Sequence, residues 1–357
     1  MPSLRPLALL AVIAAPACVP AREPETAESI QLVQPPPQCT QEECGGPNTP
    51  VVDGVPFWDL NSDGAPNDHQ VAIVDVRRAD HARMKLIASG DTLLGVDPDT
   101  GATMAAGTAL IDTRITVRAH GKRFDIRIGY VSPTSTVDEW FWIPPYDRVE
   151  AYEFYYSPAL DTSAPSLVHD EQPLCSAGKN DPTIPKIRAI VFTGDVYDPD
   201  RKTVTIVDPV KGWINIACWM SLPYKLHLLG HTSAANTRLG IGTPQPKRQA
   251  LMRAISMTAC DNSISYTTPG TLITMHESQN LLPPTSDYLD PTAKYEAIWN
   301  ADGAVCMSWQ RKATSDDDYA QRRALIESQC GHAIPPCSLL TLWTWPAWGS
   351  VLTGVPP

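Results

Sequence analysis

The chain has 357 residues, a net charge of -11 at pH 7, 35 proline residues and only 7% aromatic residues. This length allows one or two domains, and the abundance of proline argues against an all-helical bundle. The acidity and the lack of any run of Lys or Arg make nucleic acid an unexpected partner, because phosphate binding requires a basic patch.

The first 17 residues have the pattern of an export signal peptide. Arg5 supplies a positive charge, residues 7–15 are apolar but too short to span a bilayer, and residues 15–17 read Ala-Pro-Ala, which is typical of a cleavage site. Cys18 follows directly, where a bacterial lipoprotein carries its lipid, although the residues before it form an imperfect lipobox. We therefore expect a cell-envelope protein anchored by a lipid on Cys18, in the outer membrane above all, with plain secretion as the alternative.

Residues 18–50 are rich in proline and in acidic residues, and they contain no aromatic residue. Such a segment cannot bury enough apolar surface to fold on its own, so we expect a disordered tether between the membrane and the folded part. No other segment has the roughly 20 consecutive apolar residues that a transmembrane helix requires.

The nine cysteines fit the same compartment. If Cys18 carries lipid, eight remain, an even number that suits four disulfides in an oxidising environment. Two of these lie in the tether, close enough to close a small loop. The disulfide candidates are Cys39, Cys44, Cys175, Cys218, Cys260, Cys306, Cys330 and Cys337.

Residues 51–210 are predicted to be rich in β-strands. Apolar and polar residues alternate over 109–131, apart from a break at His120-Gly121-Lys122, and this pattern predicts a β-hairpin with one buried face. A second hairpin is predicted over 187–208, with YDPDRK as its turn. Further strands are predicted over 149–156 and 213–218.

Residues 211–340 are predicted to form a disulfide-rich α/β region, either separate from the β-rich region or in one domain with it. Helices are predicted over 247–260 and 316–330, the second because acidic residues suit a helix N-terminus. The expected fold class is α+β, with a hairpin-rich N-terminal half followed by short helices and a C-terminal hairpin.

The last segment, residues 341–357, is apolar and contains Trp343, Trp345 and Trp348. Two interpretations remain open for this tail. It is either a last strand packed on the core or an exposed surface for interactions.

One segment begins like a calcium-binding loop. In DLNSDGAPNDHQ, Asp59, Asn61 and Asp63 occupy the first, third and fifth positions, where oxygen ligands are required, and Gly64 occupies the sixth. The twelfth position is Gln70 instead of a bidentate Glu, and no flanking helices are evident. A turn rich in Asp and Asn is the alternative, and no other cofactor is expected.

No catalytic signature is evident. His227 and His231 have a spacing of four residues but lack the Glu of a metalloprotease motif, so we interpret them as core or surface residues, and His276-Glu277 lacks a third partner. The sequence contains neither G-x-S-x-G nor a phosphate-binding loop. Catalysis by cysteine is disfavoured because an even number of cysteines in an exported protein is more simply explained by disulfides.

The segment YEAIWNADGAVCMSW, residues 295–309, has three interpretations: a metal loop, an Asp beside a catalytic Cys, or a hairpin held by a disulfide. Asn300 and Asp302 supply too few oxygens for a metal, and no base accompanies Cys306. We therefore predict two short strands, with Ala297 and Trp299 against Val305 and Met307, joined by a turn in which Gly303 takes the positive φ.

Several segments, taken in order, resemble the ADYC domain family, a group of uncharacterised exported proteins prominent in myxobacteria. The similar segments are GTALIDTRITVRAHGKRFDIRI, QPLC ending at Cys175, WINIAC ending at Cys218, MTAC ending at Cys260, PGT at 269–271 and YEAIWNADGAVC ending at Cys306. Only Cys260 of the name motif is retained, so any chemistry of its Asp or Tyr would be absent here.

The resemblance also implies disulfide pairings. Two cysteines common in the family fall on Leu226 and Leu251, as if partners had been lost together. This implies two antiparallel helical segments with an apolar contact at those leucines and Cys218 opposite Cys260. The remaining implied pairs are Cys175 with Cys306 and Cys330 with Cys337.

These features together predict a cell-envelope lipoprotein with an extracytoplasmic domain that binds or scaffolds a protein or a glycan. The alternative is an exported hydrolase whose site is assembled from dispersed residues that no local motif would reveal.

Overall fold

A computed structural model describes residues 50–52, 55–132, 150–158, 171–175, 188–198, 201–206, 212–218, 221–228, 231–233, 242–267, 274–277, 294–338 and 351–355. Within these ranges the helices are α1 (Leu222–Leu228), α2 (Gln245–Ser256) and α3 (Asp316–Cys330), and a 3₁₀ helix covers Gly107–Leu110. None of these helices is long and apolar enough to cross a membrane.

The strands in the described ranges are β1 (Val51–Val52), β2 (Val55–Pro56), β3 (Asp59–Asn61), β4 (Val71–Arg77), β5 (Lys85–Ser89), β6 (Thr92–Val96), β7 (Thr103–Ala106), β8 (Arg114–Ala119), β9 (Lys122–Val131), β10 (Tyr152–Pro158), β11 (Gln172–Pro173), β12 (Ala189–Phe192), β13 (Asp195–Asp198), β14 (Thr203–Ile206), β15 (Trp213–Cys218), β16 (Thr274–Glu277), β17 (Lys294–Asn300), β18 (Gly303–Met307) and β19 (Val351–Val355). Strands therefore dominate, which agrees with the α+β prediction in its coarse form.

The largest sheet has eight antiparallel strands in the order β3-β15-β12-β10-β9-β8-β4, with β11 beside β10. Strand β15 follows residue 211 in the chain, yet it lies between β3 and β12. Backbone hydrogen bonds thus join residues on both sides of the position where the β-rich region was expected to end.

The first predicted hairpin is confirmed as β8–β9. Val117 lies opposite Phe124 and Ile115 lies opposite Ile126, and all four side chains are buried. At the turn, His120 and Gly121 have φ values of +48° and +77°, as a two-residue turn matched to the strand twist requires. Local alternation was sufficient to predict this hairpin.

The second predicted hairpin is confirmed only in its later part. Strands β13 and β14 pair around the expected turn, with Asp198 opposite Thr203. The preceding strand β12 instead joins the large sheet beside β15. Gly194, at φ +93°, lies between β12 and β13, and it permits a bend that the alternation of residues does not reveal.

Two apolar cores lie on opposite faces of the large sheet. One core is formed by β4, β8, β9 and β10 with the small sheet β5-β6-β7, and includes Leu86, Leu93, Phe124 and Ile126. The other contains residues of α1, α2, α3 and the strands β17, β18 and β19. Strand β12 serves both cores, because alternate residues of a strand point to opposite faces.

The two longer helices were predicted at nearly the correct positions. Helix α3 covers the predicted residues 316–330, and the hydroxyl of Ser315 accepts a hydrogen bond from the amide of Asp318 at 3.1 Å. Helix α2 starts two residues before its prediction and ends at Ser256. It ends early because Met257 takes the left-handed conformation, at φ +51°.

The C-terminal segment contributes β19, which lies between β16 and β17. For residues 351–355 this confirms the interpretation of the tail as a strand packed on the core. Trp343, Trp345 and Trp348 lie outside the described residues.

Every cysteine in the described part of the chain is in a disulfide, as expected, but the implied pairings are wrong. The observed pairs are Cys175–Cys218, Cys260–Cys330 and Cys306–Cys337, with Cα–Cα distances of 5.5, 5.7 and 4.9 Å. Cys18, Cys39 and Cys44 lie outside the described residues.

The pairing error has a structural reason. Cys218 is the last residue of β15 and does not belong to a helix facing Cys260. Leu226 and Leu251 are nevertheless buried in the same core, as the resemblance implied. Pairing depends on which distant segments meet, and that information is absent from local sequence patterns.

The C-terminal hairpin is confirmed as β17–β18. Ala297 lies opposite Met307 as predicted, but Trp299 lies opposite Ala304, because the register shifts between Ile298 and Trp299. Gly303 has φ +141°, and the amide of Ala304 donates to the carbonyl of Ala259 at 2.9 Å. The start of β18 therefore rests directly on the backbone that follows α2.

Replacing Gly303 with Ala should destabilise the protein by about 3 kcal/mol or more, because the added Cβ would collide with the Ala259 carbonyl and the backbone has a positive φ. Gly101→Ala is the matched control. Gly101 has φ +72° with nothing within 4 Å, so only the backbone term of about 1 kcal/mol should remain. Equal losses in the two variants, measured by denaturant unfolding, would show that the contact with residue 259 is unimportant.

Candidate functional site

The most completely connected polar group in the described core surrounds Glu296, on β17. Its carboxylate accepts hydrogen bonds from Arg311, from Nε at 2.8 Å and from Nη2 at 2.5 Å, and both side chains are essentially inaccessible to solvent. Thr353 Oγ1 donates to the same carboxylate at 2.9 Å, and Trp299 Nε1 donates to Thr353 Oγ1 at 2.8 Å. We call these four residues the Glu296 cluster.

Arg311 also binds the end of helix α2. Its Nη2 donates to the carbonyl of Ala254 at 2.8 Å, and its Nη1 donates to the carbonyl of Ile255 at 3.2 Å. A cation at a helix C-terminus satisfies carbonyls that have no partner within the helix and opposes their partial negative charge. The Glu296 cluster therefore fastens β17 and β19 to α2.

Arg253 makes a second link from the same helix. Its Nε donates to the carbonyl of Ala301 at 2.7 Å, and its Nη1 donates to the carbonyl of Cys260 at 3.0 Å. The turn of the β17–β18 hairpin is thus held to the segment that carries Cys260. The charged groups of these links are used to position backbone, so we interpret them as structural.

A second buried polar group surrounds Asp195, at the start of β13. Its carboxylate accepts from Arg248 Nη2 at 2.5 Å and from the Tyr197 hydroxyl at 3.0 Å. Arg248 also donates to the carbonyl of Thr243. The ring of His227 lies nearby on α1 and stacks on Phe192, with 4.2 Å between ring centroids. We call Asp195, Tyr197, Arg248 and His227 the Asp195 cluster.

Burial governs the protonation of this cluster. It raises the pKa of Asp195, against the opposing effect of the Arg248 charge. It lowers the pKa of His227 to about 3, assisted by the positive charge of Arg248. His227 is therefore neutral at neutral pH, and neither of its ring nitrogens has a hydrogen-bond partner.

The Asp195 cluster lacks the geometry of an acid–base or nucleophilic centre among the described residues. General-base catalysis by a histidine requires a hydrogen bond to the group that it deprotonates, and usually one to an orienting carboxylate. His227 makes neither bond, and the Asp195 carboxylate is occupied by Arg248 and Tyr197.

Neighbouring polar side chains support a structural role for this region. Gln249 accepts from the amide of Val204 at 2.8 Å and donates to the carbonyl of Lys202 at 2.6 Å, and Gln245 donates to the carbonyl of Val204 at 2.7 Å. Helix α2 is therefore attached to the β13–β14 hairpin by Gln245, Arg248 and Gln249 together.

His227 and His231, which were interpreted from the sequence as core or surface residues, do not lie on one helix. His227 belongs to α1, whereas His231 follows it and its Nδ1 lies 3.2 Å from Thr243 Oγ1. Both side chains are buried, which agrees with the interpretation as core residues and not with that as surface residues. His276 and Glu277 belong to β16, and their side chains lie outside what the structure describes.

The calcium candidates face different partners. Asp59 and Asn61 belong to strand β3, where Asp59 accepts from Asn67 Nδ2 at 3.0 Å and Asn61 accepts from the amide of Asp63 at 2.8 Å. Asp63 forms an ion pair with Lys85. These hydrogen bonds are typical of a turn rich in Asp and Asn, which was the alternative interpretation. The described residues contain no group of three or more His, Cys, Asp or Glu side chains that could hold a metal ion. Calcium binding stays a prediction.

Sequence reasoning missed the buried arginines. Arg248, Arg253 and Arg311 are each less than one-tenth exposed, and each bonds to backbone carbonyls. One signal was available: Arg253 interrupts the apolar run ALMRAI of the predicted helix, and Arg248 lies two residues before that run. Their partners lie too far away in sequence to be inferred.

Comparison with known proteins identifies the family of the chain. A family model of the ADYC domain matches residues 107–313, more than half of the chain. The chain therefore belongs to the ADYC domain family. No curated protein and no solved structure matches it. The matched range contains both buried clusters except for Thr353.

The pairing of Glu296 with Arg311 should be strongly cooperative. Removing either side chain leaves the other charge buried without a partner, so Glu296→Ala and Arg311→Ala should each cost about 3–5 kcal/mol of stability. The double variant should cost much less than the sum, giving a coupling energy of at least about 2 kcal/mol.

The surface pair Asp318 and Arg322, at 2.9 Å on α3, is the matched control. Because solvent screens this surface pair, the same double-mutant cycle should give a much smaller coupling energy. Similar coupling energies for both pairs, measured by denaturant unfolding, would contradict the structural importance of the buried pair.

Asp59 should make the stability depend on pH. Burial raises the pKa of its carboxyl to about 7, above the ordinary value near 3.8 that it regains on unfolding. The folded state therefore binds more protons between these values, and stability falls as pH rises from about 4 to about 7.

Asp59→Asn should remove this contribution, since the amide keeps an acceptor for Asn67 and carries no charge. The unfolding free energy of the variant should match that of the wild type near pH 4 and exceed it by up to about 4 kcal/mol at pH 8. The wild type loses about 1.4 kcal/mol for each pH unit over which only its folded state keeps the proton. Unfolding free energies measured at several pH values check this. A constant difference across the range would contradict a raised pKa.

Proposed function

We propose that this ADYC-domain protein is a cell-envelope lipoprotein, anchored through Cys18, whose extracytoplasmic domain binds or scaffolds a protein or a glycan. One observation carries the proposal: all six cysteines in the described part of the chain are paired in disulfides. Such complete pairing favours folding in an oxidising compartment outside the cytoplasm.

The sequence before the domain agrees with this location. Residues 1–17 have the pattern of an export signal, and residues 18–50 have the composition of a tether. A lipid on Cys18 followed by about 30 extended residues would allow the domain to reach roughly 100 Å from the membrane surface. This reach suits a protein that engages partners in the envelope.

The chemistry of the described core favours binding over catalysis. The Glu296 and Asp195 clusters hold helices and hairpins together, and their charged groups face one another or backbone carbonyls. Buried, mutually paired charges make a rigid scaffold that presents a fixed surface. An exported hydrolase, the alternative, would require reactive groups that a substrate can reach, whereas the His231–Thr243 pair, with 3.2 Å between Nδ1 and Oγ1, is buried.

Metabolic labelling with a fatty acid tests the anchor. The wild type should incorporate label and fractionate with membranes, and Cys18→Ser should lose both properties while the domain still folds. Cys44→Ser is the matched control, because it removes another cysteine of the tether and should keep the label. Equal labelling of all three proteins, or of none, would overturn the proposed anchor.

A further inference from the structure

Exposed basic side chains are concentrated at the tip of the β8–β9 hairpin, in a protein that is acidic overall. Arg118, His120, Lys122 and Arg123 are all exposed. Arg118 and Arg123 lie directly opposite each other on the two strands. Within the part of the chain that the structure describes, neither arginine nor Lys122 forms an ion pair. We call these four residues the basic tip.

This arrangement is unfavourable for the isolated protein. Like charges directly opposite each other in an antiparallel pair destabilise the sheet. Other arginines of the same sheet are neutralised: Arg77 by Asp75 at 2.7 Å, and Arg127 by Glu171 at 2.5 Å. The fold does not require two opposed arginines at positions that face solvent, so their presence points to an anionic partner.

The outer face continues from the basic tip along the same strands. Arg114 lies opposite Arg127, four residues along the strands from Arg118 and Arg123 and thus about 13 Å away. The intervening pair is Thr116 and Asp125, whose hydrogen bond of 2.7 Å engages the carboxylate. Arg114 and Arg127 thus form a second row of guanidinium groups, but Glu171 lies 2.5 Å from Arg127 and 4.0 Å from Arg114, and Asp112 lies 3.0 Å from Arg127. The second row is therefore partly neutralised, and among the described residues the unpaired positive charge of this face is concentrated at the basic tip.

An aromatic ring adjoins the second row. Tyr155 is the cross-strand neighbour of Arg127, and the guanidinium lies 5.1 Å from its ring centroid. The ring lies across Gly129, where any side chain would collide with it. Tyr155 is half-buried. A fixed aromatic ring can stack on a sugar ring while neighbouring guanidinium groups bind the carboxylates of that sugar.

We propose that the basic tip and the adjoining outer face of β8 and β9 bind an acidic polysaccharide, one that carries carboxylate groups along an extended chain. This deepens the proposed function by naming the class of partner, and it rests on the domain being outside the cytoplasm. A membrane surface fits less well, because Val74 is the only large apolar side chain exposed on the large sheet among the described residues.

The test uses the full chain as the Cys18→Ser variant, purified without lipid, so that its outcome does not depend on anchoring. The probes are polygalacturonate, neutral dextran of similar length, polyglutamate and vesicles with anionic phospholipids. The protein should bind polygalacturonate at low salt, and this binding should weaken as added salt screens the charges. Its binding to dextran and to polyglutamate should be at least tenfold weaker.

Reversing both tip arginines, as Arg118→Glu with Arg123→Glu, should weaken polygalacturonate binding at least tenfold. The matched control reverses Arg201 and Lys312, which changes the net charge equally but lies away from β8 and β9, and it should leave binding within twofold. Thermal unfolding of both double variants checks that each is folded.

Three results would overturn the proposal: no binding of polygalacturonate, equal weakening by the two double variants, or stronger binding to anionic vesicles or polyglutamate than to polygalacturonate. If polygalacturonate does not bind while fatty-acid labelling is normal, an acidic polysaccharide is excluded as the partner and the lipoprotein proposal is unaffected. If polygalacturonate binds but the wild type takes up no fatty acid, only the proposed anchor is excluded.

Discussion

The buried ion pair between Glu296 and Arg311 connects elements that lie far apart in the sequence. Glu296 belongs to β17, Arg311 follows β18, and the guanidinium reaches the last carbonyls of α2. Thr353 of β19 completes the group. Burying two charges costs several kcal/mol each, and this cost is offset because the Glu296 carboxylate accepts four hydrogen bonds and each guanidinium nitrogen of Arg311 donates at least one. The family segment YEAIWNADGAVC therefore has a structural explanation, in which Glu and Trp bind this network and Gly303 permits close contact with residue 259.

Features governed by local patterns could be predicted from the sequence, whereas long-range contacts could not. The hairpin at His120-Gly121 follows from alternation and turn residues, and helix α3 follows from the acidic residues at its N-terminus. The insertion of β15 between β3 and β12 depends on strand pairing over more than 150 residues, and no local signal encodes it. The cysteines show the same division. Their oxidised state followed from number and context, but the pairings were wrong.

The disulfides connect further elements to those that the ion pair joins. The segment after α3 runs beside β18, where the amide of Met307 donates to the carbonyl of Pro335 at 2.9 Å, and this brings Cys337 to Cys306. Cys330 at the end of α3 meets Cys260 beyond α2. Cys175–Cys218 joins the end of β15 to the residues that follow β11, so the large sheet is cross-linked as well. Together these links make the framework rigid, which on the proposed function lowers the entropic cost of binding a partner. This rigidity is the physical basis for interpreting the domain as a binding module.

Native-state hydrogen exchange tests most directly whether the Glu296 cluster joins α2, β17, β18 and β19 into one cooperative unit. The amides of Thr258, at the end of α2, and Ala304, in β18, are both hydrogen-bonded to backbone carbonyls. The account predicts that they exchange with the same opening free energy and the same dependence on denaturant. A distinctly lower opening free energy for Thr258 than for Ala304 would show that α2 opens independently, and would contradict the central role of the ion pair.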